Sequence, residues 1–349
     1  MKITEWRYKM IKRITLLVVL VLLISSLSYA AFSKLGTAGA QFLKIGVGAR
    51  GPAMAGAFSA VVDDASALYW NPACAAMVER NEILVSDVEW VCDIRNNFFS
   101  YIKPMGMLGN IGFGLTVLTM GEMDVTTVYK PEGTGETFGA SDIAATISYS
   151  KNFTDVFAFG MNMKWIQQNI WDMSANGIAL DFGTLYRPTF IENFRLAFVI
   201  TNFGPDLVFS GGHLETELKE KDWIGKDQPM EVSASPYALP MNFKIGLAYD
   251  AFKTETSLFT VALDASHPND SQEIVCVGME YVWNNMLAVR GGYKYDPDLF
   301  DDKLNGHEGF AFGFGAMLPF GNQVAKIDYA GEDLGRLSLI HRVSIGLLF

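Results

Sequence analysis

The chain is poor in the residues that build covalently stapled or metal-bound folds. Its 349 residues include only three cysteines and four histidines. Cys74, Cys92 and Cys276 form no close-spaced pair, so neither a disulfide framework nor a zinc site is expected. At most one bridge could form, Cys74 with Cys92 being nearest, and free buried thiols are the simpler expectation. His213, His267, His307 and His341 stand far apart, and none has a partner at metal-ligand spacing. Positive charge is scarce too: 27 Lys and Arg face 38 Asp and Glu, a net of −11, which makes nucleic acid and anionic lipid surfaces poor partners. Past residue 30 no uncharged apolar run reaches the ~20 residues that a membrane-crossing helix needs. A mature chain embedded in a membrane would have to cross it as a closed barrel.

The N-terminus carries Lys2, Arg7, Lys9, Lys12 and Arg13 ahead of an apolar run from Ile14 to Leu27, then Ser28-Tyr29-Ala30. This order of basic, apolar and small residues is that of a cleaved export signal, residues 1–30. Its removal takes away five bases and Glu5 and leaves a mature net charge of about −15.

From residue 82 onward apolar side chains recur at every second position in segments of about ten, the period of a strand with one greasy face. Phe157, Phe159, Met161, Met163 and Trp165 share a face, opposite Ala158, Gly160, Asn162 and Lys164. The pattern predicts about fourteen strands, near 82–90, 96–104, 110–120, 140–150, 155–167, 176–187, 191–202, 240–250, 256–266, 272–283, 285–295, 307–319, 322–331 and 337–349. Even-numbered joins read as tight turns (Lys151 to Thr154, Pro188 to Phe190, Asn284, Pro319 to Gly321), whereas most odd ones are longer, notably 121–139, 203–239 and 296–306. An even strand count with short turns on one side and long loops on the other is the mark of a transmembrane antiparallel β-barrel. Tyr149, Tyr186, Tyr249 and Trp283 fall at the turn side, where an interfacial girdle belongs. The alternating last strand ends on Phe349, an aromatic terminus resembling the assembly signal of outer-membrane proteins. The expected organisation is all-β: a barrel over 78–349 preceded by a segment, 31–77, that plugs it.

That segment is rich in Gly and Ala and has neither period. Gly46, Gly48 and Gly51 fit a dinucleotide-binding spacing, but no βαβ unit follows, so no cofactor is expected. Its order is specific in another way. The run through Gly46, Gly48, Ala49 and Arg50, the step at Gly56, and the ending Asp63-Asp64-Ala65 to Trp70-Asn71-Pro72-Ala73 resemble the N-terminal signature of the PorV/PorQ outer-membrane proteins. More distantly they are similar to the FadL-like long-chain fatty acid transporters. Cys74-Ala75-Ala76 departs from the Gly-Leu-Ala usual there. Asn71-Pro72 reads as the end of the segment, with the first strand just beyond.

The second strand face is small or charged. Lys164, Asp181, Arg195, Lys244, Asp264, Glu280, Arg290, Lys326 and Arg342 are candidate lumen residues, with Arg50 and the Asp63-Asp64 pair as their partners from the plug. The loop 203–239 is dense in both signs of charge and reads as water-facing. Its apolar residues Leu207, Phe209, Leu214, Trp223, Ile224 and Tyr237 are candidate partner anchors. No catalytic constellation stands out and no enzyme is expected. The PorV/PorQ resemblance implies a barrel scaffold of type IX protein secretion that holds exported cargo proteins and meets other secretion components at the cell surface. The FadL-like resemblance implies the alternative, passive transport of a hydrophobic small molecule across the outer membrane. An apolar lumen pocket favours transport; the charged lumen leans toward the scaffold.

Overall fold

Alternation in the sequence becomes a closed wall in the computed structural model, which describes residues 36–212, 215–218, 228–231, 234–296, 309–335 and 339–349. Fourteen antiparallel strands form it. They are β1 (Glu82–Glu89), β2 (Arg95–Pro104), β3 (Asn110–Thr119), β4 (Ala140–Thr154), β5 (Phe157–Ile170), β6 (Met173–Tyr186) and β7 (Phe194–Phe203). They continue as β8 (Asn242–Lys253), β9 (Leu258–Pro268), β10 (Ile274–Trp283), β11 (Leu287–Tyr295), β12 (Phe310–Phe320), β13 (Gln323–Asp333) and β14 (Leu339–Leu348). Each pairs with its neighbours in the chain, and β1 pairs with β14 from Glu82↔Leu348 to Glu89↔His341, so the ring has no open edge. Register shifts occur in three ladders: β4–β5 between Asn152 and Thr154, β6–β7 between Leu180 and Phe182, and β8–β9 between Asp250 and Phe252.

The joins sort by end. Joins 105–109, 155–156, 187–193, 254–257, 284–286 and 321–322 lie at the end that also holds both barrel termini, where the Phe349 amide bonds the Asn81 carbonyl. Joins 120–139, 204–241 and 296–309 lie at the other end. Most strand bounds shift by one to four residues from expectation, and two of the expected tight turns lie largely within strands. Lys151–Thr154 belongs to β4, a bulge between Asn152 and Thr154 carrying the strand to a two-residue turn, and Pro319 still pairs within β12, opposite Val324 and one rung before the closing pair Phe320↔Gln323.

The two faces differ as the alternation requires. Val85, Ile147, Met163, Trp165, Phe198, Val289, Phe314 and Ile345 are exposed on the outside, while Ser86, Ser100, Ser148, Asn162, Ala179 and Ala262 are buried inside. An outward belt of this kind around a closed wall is the surface of a transmembrane barrel. Tyr149, Tyr186, Tyr249 and Trp283 are exposed at the short-turn end.

The interior is occupied by residues 36–81, which run from one end of the barrel to the other. Gly36 bonds Asp270 in the 269–273 join at the long-loop end. Forty residues later Asn110, at the opposite end of the wall, donates to the carbonyls of Ala75 (2.7 Å) and Val78 (2.8 Å). Only short turns of helix form on the way: Gln41–Lys44, Arg50–Ala53, Ala67–Trp70 and Pro72–Met77. Asn71-Pro72 therefore starts a helical turn instead of ending the segment. Proline is favoured at the first helical position, where its missing N–H costs nothing, and the Asn71 side chain caps the Ala73 amide at 3.0 Å.

Candidate functional site

Glycine on the wall lets the segment come close. A Cβ at Gly160 would lie 2.2 Å from the Pro72 carbonyl carbon, and one at Gly183 would lie 2.1 Å from Asn71 Oδ1. Here β5 and β6 touch the segment backbone directly. Van der Waals contact of this kind extends through a core of Met54, Phe58, Leu68, Trp70 and Cys74 with Leu84, Phe98, Ile102 and Leu185 of the wall.

The motif residues of the segment are those that fix it. The Gly48 and Ala49 amides donate to Ser86 Oγ and Ser344 Oγ, each at 3.1 Å. The Gly46 carbonyl accepts from Arg342 at 2.5 Å, and the Trp70 indole donates to the Val47 carbonyl at 3.1 Å. Asn71 Nδ2 spans the segment and the wall, donating to Ser59 O at 2.8 Å and to Thr184 O at 3.2 Å. Ala65 and Ala73 are fully buried, and Gly56 turns at φ 86°.

Arg50 is the electrostatic centre. Its Nε and Nη2 grip the two oxygens of Glu280 at 2.8 Å each, and its Nη1 meets Asp63 and, at 3.3 Å, Asp64 Oδ2. Glu280 also accepts from Arg290 Nε (2.6 Å), and Arg290 Nη1 reaches Asp328 (2.6 Å). Lys326 pairs with Glu82 at 2.8 Å nearby. Burial pushes the Asp64 carboxyl up, but Arg50, Lys326 and the two Ser66 hydrogen bonds outweigh it and hold Asp64 below its usual value. Arg50 is held well above its usual value in the same way: burial lowers it, and Asp63, Glu280 and Asp64 more than offset the loss.

The remaining candidate lumen residues all face inward. Lys164 bonds Asp181 Oδ2 and Asn202 Oδ1, both at 2.8 Å, and Asp181 also accepts from Asn162. Arg195 pairs with Asp250 at 2.5 Å, between β7 and β8. Arg342 bonds Glu332 at 2.7 Å and lies over the Trp90 ring, 5.4 Å from its centroid. Asp264 accepts from the Ser59 amide at 3.0 Å. Lys244 differs from these. It lies 5.3 Å from the Trp70 ring centroid and makes no hydrogen bond or ion pair among the described residues.

Lys244 opens on a cavity of about 310 Å³ between the segment and the wall, lined by residues of β5, β7 to β11, β13 and β14. One wall comes from the segment and is mostly apolar: Leu43, Pro52, Ala55, Gly56, Tyr69 and Trp70. The facing wall is polar, with Asn242, Lys244, Asp264, Ser266, Ser271 and Lys294, while Trp90, Leu334 and Arg342 close the side. Its charges largely cancel within short reach: Lys44 with Asp270 (2.9 Å), Lys164 with Asp181, Arg342 with Glu332, and Lys294 with Asp296 (3.7 Å).

Two expectations need correction. The loop 203–239 is not water-facing throughout. Leu207 is buried, with Gly177 giving it space, and Tyr237 stacks on Phe209 and donates to Gln168 Oε1 at 2.9 Å. The loop base thus folds into the barrel mouth and joins Ala38 through a bridge at Ala238. Trp223 and Ile224 lie outside the described residues, as do residues 1–30. All three cysteines are free, and Cys92 is exposed instead of buried because it sits in the open 90–94 join. Among the described residues no group of His, Cys, Asp and Glu could hold a metal ion.

Sequence reasoning missed Ser86, Ser344, Asn110, Asn162 and Trp90. Each lies on the small, polar face of a strand or at a strand end, and nothing in the alternation separates a side chain that receives the segment from one that merely lines the wall.

No curated protein matches the sequence. Solved structures do match the fold. The P. putida toluene transporter TodX shares 15% identity at a TM-score of 0.52, over 86% of this chain and 96% of that one. The Ralstonia pickettii toluene transporter TbuX shares 14% at 0.51, over 86% and 97%. A Pseudomonas aeruginosa FadL homologue shares 12% at 0.51, over 87% and 98%. At such identity the likeness is one of fold. A family is matched over residues 26–211, more than half of the sequence, and to that family, the uncharacterised protein family UPF0164, the chain belongs.

Proposed function

We propose that the chain is an outer-membrane barrel, exported by the signal at residues 1–30, that passes hydrophobic small molecules through its lumen with residues 31–77 as an internal plug. The observation that carries this reading is the cavity inside the barrel, floored by Trp70, Tyr69 and Leu43 and lying toward the long-loop end. A concave, largely apolar site with a few converging polar groups is what a small-molecule ligand needs. Passive passage asks for no chemistry, only for a weak site and for a plug that yields. The solved channels of the same fold are named for toluene and other monoaromatic hydrocarbons, which makes toluene the natural first probe. Proteoliposomes carrying the barrel should take up toluene faster than empty ones; equal rates would remove the proposal.

The charged lumen, which from sequence leans toward a scaffold, instead pairs within itself and leaves a cavity. The secretion scaffold implied by the PorV/PorQ resemblance stands as the second reading. It is favoured by one observation: Val128 and Tyr129 are almost fully exposed at the tip of the 120–139 join. Apolar side chains held out in water at the long-loop end could anchor an exported protein. Co-purification of cargo proteins with the extracted barrel would support it.

A further inference from the structure

We infer that the lumenal cavity is built for an uncharged ring bearing hydroxyl groups along one edge, such as a catechol, in preference to a bare hydrocarbon or an organic anion. The inference names the ligand class of the conduit proposed above and rests on that reading. It starts from unmet hydrogen bonds. Asn242 Oδ1, Ser271 Oγ, Asp264 Oδ1 and Arg342 Nε are buried and have no partner among the described residues, and all four residues line the cavity. Lys244 adds donors that no acceptor among the described residues takes. A hydrocarbon in this space would leave every one of these groups unpaired, and each would keep its desolvation cost.

The charges then decide between an anion and a neutral ligand. Lys244 opposes Ser266 on β9, and Asp264 opposes Gly246, so the two lie diagonally on the same inner face. Asp264 spends one oxygen on the Ser59 amide and keeps the other free. A carboxylate drawn to Lys244 would meet that acid, and an ammonium drawn to Asp264 would meet the lysine. A hydroxyl suits both, because it accepts from the ammonium and donates to the carboxylate or to Asn242. The opposite wall, of Pro52, Ala55 and Trp70, offers only apolar contact, so the rest of the ligand should be hydrocarbon. The volume is about twice the ~150 Å³ in which a benzene is held, enough for a substituted ring.

The test is equilibrium dialysis of the detergent-extracted mature protein against catechol, toluene and benzoate at neutral pH, with toluene flux into proteoliposomes measured alongside. Catechol should bind at least about tenfold more tightly than the other two, the difference that one hydrogen bond to a charged group makes. Lys244→Met and, independently, Asn242→Leu should each weaken catechol toward the level of toluene, while toluene, relieved of one unpaired polar group, binds as tightly as before or more tightly. Two variants guard against one that does not fold. Tightest binding of benzoate would make the site an anion site. Toluene binding as tightly as catechol would make it a hydrocarbon site, and no retention of catechol would mean that water alone serves the polar groups. Each of these overturns the inference, while toluene flux judges the conduit separately.

Discussion

Arg50 and Glu280 grip each other through two parallel hydrogen bonds of 2.8 Å, across 230 residues of chain. One belongs to the interior segment and the other to β10, so this fork is where the segment is tied to the wall by charge. Fork-to-fork geometry adds direction as well as strength. Because Glu280 also holds Arg290, removing it leaves Arg50 with only Asp63 and Asp64, and Arg290 with only Asp328.

Glu280→Ala should therefore be costly, by about 3–5 kcal/mol, the usual effect of breaking a buried pair from one side. In detergent its unfolding midpoint should fall well below wild type. The double variant Arg50→Ala/Glu280→Ala should lose less than the two single losses added together, since the partners then leave jointly. Additive losses would mean that the pair is not coupled.

Acid should loosen the segment through Asp64. Its folded-state value lies below the ordinary 3.8, so its stabilisation is complete above that range and is lost as pH falls through the folded value. Arg50, Lys326 and Ser66 face it, with Asp63 and Glu82 close by. Single-channel conductance in planar bilayers should show an acid step that rises below about pH 4. Asp64→Asn should remove most of that acid step; a step of full size in the variant would place the titration elsewhere.

The wall was legible in the sequence because strand alternation is local. Phe157 to Trp165 and Val343 to Phe349 declare their faces without reference to any other part of the chain. The interior segment was legible only as a motif. Gly48, Ala49 and Asn71 bond to Ser86, Ser344 and Thr184, partners 38, 295 and 113 residues away, and such pairings follow from closure of the ring and not from spacing. The inward turn of Leu207 and Tyr237 was hidden for a similar reason. Two apolar residues in a charged loop look like scattered surface residues until Gly177 and Gln168 are brought beneath them.

Gly160 tests the fit between segment and wall. Valine there would drive its side chain into Pro72, a backbone contact that cannot turn aside. Overpacking of this kind costs about 1–3 kcal/mol and should displace residues 71–73 instead of breaking β5, whose ladder is long on both sides. The variant should still migrate differently before and after boiling, while its conductance rises. Deleting residues 38–77 should give the same change at larger amplitude. A closed channel in both would mean that the segment does not obstruct the lumen.

The long loop can separate the two readings of function. Its base is part of the barrel mouth: a Cβ at Gly39 would lie 2.1 Å from the Tyr237 ring, and Leu207 and Tyr237 exchange backbone hydrogen bonds of 2.9 Å in both directions. Replacing residues 212–233 with a short Gly/Ser linker leaves that base intact, and loop length itself costs little. The variant should remain heat-modifiable, because a closed ring has no edge from which detergent can peel strands. If the barrel is a conduit, toluene uptake should persist, since no cavity-lining residue is removed. Tyr237→Ala should behave differently. It frees the start of the segment from its aromatic clamp and takes away the bond to Gln168, and uptake should change while the loop's charges stay in place. If the loop replacement instead leaves uptake absent in both forms and abolishes capture of an exported cargo protein that the wild type retains, the scaffold reading replaces the conduit.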